Sequence, residues 1–159
     1  MKSKRIVIKI GTNVLQQSNG KLDHKLIGEL AAQIAKIRGH GHEVLVVTSG
    51  SVGAGRELCS VDESRNTLAS HQILASVGQA RLIQIYADAF RKHKTTVAQI
   101  LLTRGDLVSG SLTSIFETLL RICSNIKLFQ LLMKTMLLPQ RNWYSILVTM
   151  IYLLSIWLH

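Results

Sequence analysis

Over the first hundred residues, short β-branched runs alternate with longer stretches in which apolar residues recur every three or four positions. Arg5 to Ile10 reads RIVIKI and is closed by Gly11, which predicts a buried strand. After the turn-like QQSNGK, the run from Leu22 to Arg38 sets Leu22, Leu26, Ile27, Leu30, Ile34 and Ile37 on one helical face. GHGHEVLVVTSG then supplies a loop, a strand and a glycine turn. This β-α-β order implies a parallel strand pair with a right-handed crossover.

A further helix is expected from about Ser51, and Ser70 to His93 keeps helical periodicity although Gly78 sits in its middle. Thr95 to Thr103, TTVAQILLT, predicts a third buried strand. Strands alternating with helices argue for an α/β layered domain through about Leu107, with no internal repeat and no low-complexity linker.

Composition shifts beyond that point. The last of the 11 glycines is Gly110, whereas both tryptophans and three of the 4 methionines follow Lys127. From Ser145 the chain reads SILVTMIYLLSIWL, an uncharged run shorter than the roughly 18 to 20 residues that span a bilayer. No membrane association is expected from it. At the other end MKSKRIVIKIG is interrupted by Lys9 and followed by no small-residue cleavage site, so no signal peptide is expected and the compartment implied is the cytoplasm.

A chain of 159 residues suffices for one domain with a hydrophobic core. Its net charge of +10 would attract nucleotides, nucleic acid or anionic substrates, but no RNA-binding signature supports a nucleic-acid partner. Cys59 and Cys123 have no metal-type spacing and read as reduced, structural thiols. His40 and His42 flank Gly41 in a loop, while His24, His71 and His93 are scattered, so solvated histidines and no metal site are expected.

The candidate chemistry lies at the two glycine-marked strand ends, because ligands of open α/β sheets gather beyond the carboxyl ends of strands. VIKIGTN puts Lys9 in the first strand with Gly11 and Thr12 at its exit, a cation beside a loop that can bring backbone N–H groups to a phosphate. Taken alone, a strand lysine is ordinarily a surface residue. VVTSGSVGAGRE joins the second strand to a helix through Thr48, Ser49, Gly50 and Ser51, where free N–H groups could meet an anion, although an ordinary capped turn has the same sequence. Neither stretch is GxxxxGK[ST] or GxGxxG, which disfavours a P-loop kinase and a dinucleotide dehydrogenase.

Taken in order, IVIKIGTNVL, GHEVLVVTSGSVGAG, ASVGQARLIQIYADAF and VAQILLTRGDL closely resemble the N-terminal part of the bacterial glutamate 5-kinases, a branch of the amino acid kinase family. The resemblance covers about residues 4 to 108. It implies the N-terminal half of a three-layer α/β/α fold with a mainly parallel sheet. It also implies transfer of phosphate from ATP, with its Mg²⁺, to L-glutamate in the first step of proline biosynthesis, and a homo-oligomer is compatible with the intact enzyme. Carried over by position, Lys9 is the catalytic and ATP-phosphate-binding lysine, Gly11 contributes backbone to the phosphate, and Ser49 and Gly50 bind glutamate.

Beyond Leu107 the resemblance fails, and neither the family's Pro-Ile-Ile-Asn-Glu-Asn-Asp loop nor its later Gly-Asp-Asn-Asp is present as written. Reading the third base of each codon with the first two of the next restores them. KLFQLLMKTM (Lys127 to Met136) can then encode Ile-Ile-Pro-Ile-Ile-Asn-Glu-Asn-Asp, and VTMIYLL (Val148 to Leu154) can encode Asp-Asn-Asp-Leu-Ser-Ala. LTSIFETL (Leu112 to Leu119) can likewise encode Tyr-Ile-Asn-Ile-Arg-Asn-Thr. Three ordered matches in one phase imply a frameshift between about Val108 and Leu112. Residues 1–108 are therefore expected to form a partial kinase domain and residues 109–159 a non-native tail. The ATP-binding half is expected to be missing and this polypeptide to be inactive. The alternatives are another amino acid kinase, acting on a carbamate, an aspartate or a nucleotide, and a small membrane-associated or partner-binding protein that uses its apolar tail.

Overall fold

The computed structural model describes residues 3–62, 68–102, 118, 122–123 and 129–134. Its elements are β1 (Arg5–Ile10), α1 (Thr12–Leu15), α2 (His24–Gly39), β2 (Glu43–Thr48), α3 (Ser51–Gly55), α4 (Leu68–Arg91), β3 (Val97–Leu102) and β4 (Phe129–Lys134). The four strands form one sheet in the order β1-β2-β4-β3, and every pairing is parallel. The expected α/β class and parallel β1–β2 pair are thus present, with Lys9 opposite Val47 and Ile10 opposite Thr48.

Strand alternation sorts the side chains. Ile6, Ile8 and Ile10 share a face with Val44, Val46 and Thr48, and on this face Phe129 and Leu131 continue the row from β4. Against it pack Ile27, Ala31 and Ile34 of α2 and Leu82, Ile85, Tyr86, Ala89 and Phe90 of α4. Among the described residues this is a sheet with one helical layer; the expected second layer falls outside them.

Several boundaries differ from the expectation for local reasons. Leu22 is buried but is not helical: it pairs across the turn with Gln16, and α2 starts at His24 because the Asp23 carboxylate accepts a 2.9 Å hydrogen bond from the Leu26 N–H. The helix expected from Ser51 is a single turn, α3. The third strand, expected to be buried, lies at the edge of the described sheet, with Gln99 and Leu101 exposed. The place between β2 and β3 belongs to β4, where Phe90 stacks on Phe129 with centroids 4.0 Å apart and the Arg38 guanidinium lies 5.6 Å from the Phe129 ring centre. The apolar run from Ser145 and the shifted segments at 112–119 and 148–154 lie outside the described residues, apart from Thr118.

Gly78 has a packing reason. α3 and α4 cross so closely that a Cβ on Gly78 would stand 1.8 Å from the Ser51 carbonyl oxygen and 2.4 Å from the Gly55 nitrogen. A Cβ on Gly55 would in turn stand 2.0 Å from the Leu74 oxygen. This contact presses α3, and with it the turn before it, against the long helix.

His24 is not simply solvated. Its Nε2 lies 2.7 Å from Glu57 Oε1, and the second oxygen of Glu57 is 3.6 Å from Arg81 Nε. Glu57 thereby links α2 to α4. Among the described residues no group of three His, Cys, Asp or Glu side chains is arranged to hold a metal, and no helix is long and apolar enough to cross a membrane.

Candidate functional site

Parallel pairing of β1 and β2 brings their two glycine exits to the same edge of the sheet. Ser49 leaves β2 with both its N–H and its hydroxyl directed to the Ile10 carbonyl, each at 3.3 Å. The 49–50 turn is therefore tied to the residue that precedes Gly11. Gly50 has φ 120°, a conformation that strains any residue with a Cβ, and it is packed against Leu22, Leu15 and Leu82. Its backbone requirement is thus structural whatever it binds.

Lys9 points from the sheet face opposite the core and is exposed. Its Nζ curls over Gly11, 3.0 Å from where a Cβ on that glycine would be, and it makes no hydrogen bond or ion pair with the described residues. An ammonium with no partner among the described residues, over a strand exit without a side chain, has the charge and the clearance that a phosphate oxygen requires. The α3 turn after Gly50 is only five residues long, so the helix start expected there contributes N–H groups and little dipole.

The structure adds a residue that the sequence pattern did not single out. Tyr86, on α4, is buried, and its hydroxyl lies 2.8 Å from Thr48 Oγ1 at the end of β2. Thr48 Oγ1 also donates to the Ser49 carbonyl at 3.1 Å. A threonine hydroxyl has one proton; with that proton on the Ser49 oxygen, Tyr86 is the donor to Thr48. The available signal was that Tyr86 falls on the buried face of an amphipathic helix, where a phenol needs a partner.

Burial pushes the Tyr86 phenol up to about 12, against a smaller opposing pull because the Thr48 hydroxyl can turn to donate to the phenolate. The protonated form is therefore the one favoured by folding. Stability is complete below the unfolded-state value near 10 and falls as pH rises toward 12, by roughly 2–3 kcal/mol. Chemical denaturation between pH 9 and 12 should show this loss for the parent protein and a smaller one for Tyr86→Phe.

The sequence profile of the amino acid kinase family matches residues 4–128. The glutamate 5-kinase of Chlorobaculum tepidum is 48% identical over 103 residues, which is 65% of this chain and 28% of that protein. The glutamate 5-kinase of Citrifermentans bemidjiense is 46% identical over 108 residues, 68% of this chain and 29% of its own length. The chain thus spans less than a third of either relative. Among solved structures, the UMP kinase from Ureaplasma parvum superposes with a TM-score of 0.50 at 18% identity, over 83% of this chain and 56% of that one. That likeness concerns the fold. With a parallel sheet of the same architecture and a profile match along most of its length, this chain belongs to the amino acid kinase family.

Proposed function

We propose that residues 1–108 are the acceptor-binding part of a cytoplasmic glutamate 5-kinase, which transfers phosphate from ATP to the side-chain carboxylate of L-glutamate. Residues 109–159 are, in this reading, an out-of-frame tail, although the family profile runs on to residue 128 and Phe129–Lys134 of this segment supplies β4. The observation that carries the proposal is the pairing of β1 with β2, which ties Ser49 to Ile10 and sets Lys9 and Gly11 beside Ser49 and Gly50.

Lys9 and Gly11 suit the phosphates of ATP: the lysine supplies positive charge and the glycine leaves room for close approach. Ser49 and the Gly50 backbone would hold glutamate. The attacking carboxylate is already ionised near neutral pH, so no general base is required, and catalysis rests on alignment and charge. Mg²⁺ would arrive with ATP and supply further positive charge to the transferring phosphate. Lys9 would act in the same sense, its exposed ammonium adding positive charge as the transition state develops.

The test is ATP-dependent hydroxamate formation from glutamate by protein made from a gene with its frame restored after codon 108. Lys9→Ala should lower kcat by about 10²-fold with little change in glutamate KM, as expected for charge used in the transition state. Ser49→Ala should instead weaken glutamate binding by about 1–3 kcal/mol by leaving a polar partner unsatisfied. Near-normal kcat in the lysine variant removes Lys9 from the mechanism, and impaired ATP dependence in the serine variant reverses the assignment. The 159-residue polypeptide itself should show no turnover above its own Lys9→Ala variant; turnover there overturns the inactive-fragment reading.

A further inference from the structure

We propose that Tyr86 is a positioning residue: acting through Thr48, its hydroxyl sets where Ser49 stands at the candidate acceptor site. The inference rests on the assignment of Ser49 to that site but concerns a residue 37 positions further along the chain, on another element. Three contacts carry it. Tyr86 Oη meets Thr48 Oγ1 at 2.8 Å, Thr48 Oγ1 donates to the Ser49 carbonyl at 3.1 Å, and the Ser49 N–H donates to the Ile10 carbonyl at 3.3 Å. The relay thus runs from α4 through the last residue of β2 to the exit of β1.

Its surroundings make the relay a fixed one. Tyr86 is 1% exposed and Thr48 4%, so no bulk water is at hand to replace either partner. Without the Tyr86 hydroxyl the Thr48 oxygen keeps its bond to the Ser49 carbonyl but loses the one it accepts, a desolvation cost that a shift of the turn relieves. The close crossing of α3 and α4 at Gly55 and Gly78 holds the other side of the turn, so the Ser49 peptide, itself bonded to Ile10, sits between two anchored ends. Tyr86 makes no contact with a ligand in this scheme; it acts on the geometry of Ser49.

Residue-resolved amide hydrogen exchange on the 159-residue chain at neutral pH tests this, because Tyr86→Phe keeps the ring and deletes only the hydroxyl. The Ser49 amide should exchange about tenfold faster in that variant, the loss expected for one net hydrogen bond, while the amides of Val44 and Val46 change by less than about twofold. Thr48→Val should reproduce the effect, Thr48→Ser should restore protection, and the double variant Tyr86→Phe with Thr48→Val should be no faster than either single one. Unchanged exchange at Ser49, or equal acceleration along all of β2, overturns the proposal, the second because it marks a structural role only. A parallel titration with L-glutamate, following the Ser49 amide, separates the two levels. No perturbation in the frame-restored protein, titrated in the same way, counts against glutamate as the occupant, whereas the exchange comparison decides the role of Tyr86 in either case.

Discussion

Gly78→Ala is expected to abolish cooperative folding or to cost more than about 3 kcal/mol, although the same change in an open helix is favourable. Intrinsic propensity favours alanine over glycine in a helix interior by about 1 kcal/mol. Opposing it, the new Cβ would stand 1.8 Å from the Ser51 carbonyl oxygen and 2.4 Å from the Gly55 nitrogen. Both are backbone atoms, so no side-chain rotation removes the overlap, and α3 must be pushed away from α4. Displacement of α3 would carry Gly50 and Ser49 with it, which ties stability to the candidate site. Gly28→Ala is the control: nothing lies within 4 Å of that Cβ, and this variant should gain roughly 0.5–1 kcal/mol. Thermal and urea unfolding of the two variants should move in opposite directions. A Gly78→Ala protein as stable as the parent would mean that the two helices do not cross as described.

Phe129→Ala should destabilise the protein by about 3–5 kcal/mol, the range for deleting a buried aromatic ring. The side chain is fully buried between Phe90 of α4 and the Arg38 guanidinium of α2, on the strand that joins β2 to β3. Burial holds the Arg38 guanidinium below its usual value, and the face of the Phe129 ring partly offsets that desolvation. Loss of the ring therefore removes apolar packing, an aromatic pair and the cover over a cation together. Urea midpoints at unchanged slope would report the loss. Parent-like stability would place residues 129–134 outside the sheet.

Much of the architecture is legible in local patterns. RIVIKI, EVLVVT and VAQILL are strands because β-branched and aliphatic residues suit the pleated, partly buried surface. The stripe from Leu26 to Ile37 is a helix because its spacing makes one apolar face. Lys9 and Ser49 stand out for a similar reason: both are polar residues beside glycines at strand ends.

What the local pattern leaves open is partnership across distance. Strand composition does not say which strand neighbours which, because all four are apolar and any parallel order satisfies their backbones; the order β1-β2-β4-β3 emerges when helices and strands pack together. In a one-dimensional reading Gly78 is a helix-weakening residue, and only the approach of α3, more than twenty residues earlier, makes it necessary. Tyr86 likewise reads as another apolar-face residue until folding sets its hydroxyl against Thr48. Hydrophobic periodicity is a property of neighbours in sequence, which is why it specifies elements and their buried faces. The contacts that place Ser49 join residues 38 and 39 positions apart, and they exist only once the sheet and its helical layer have formed.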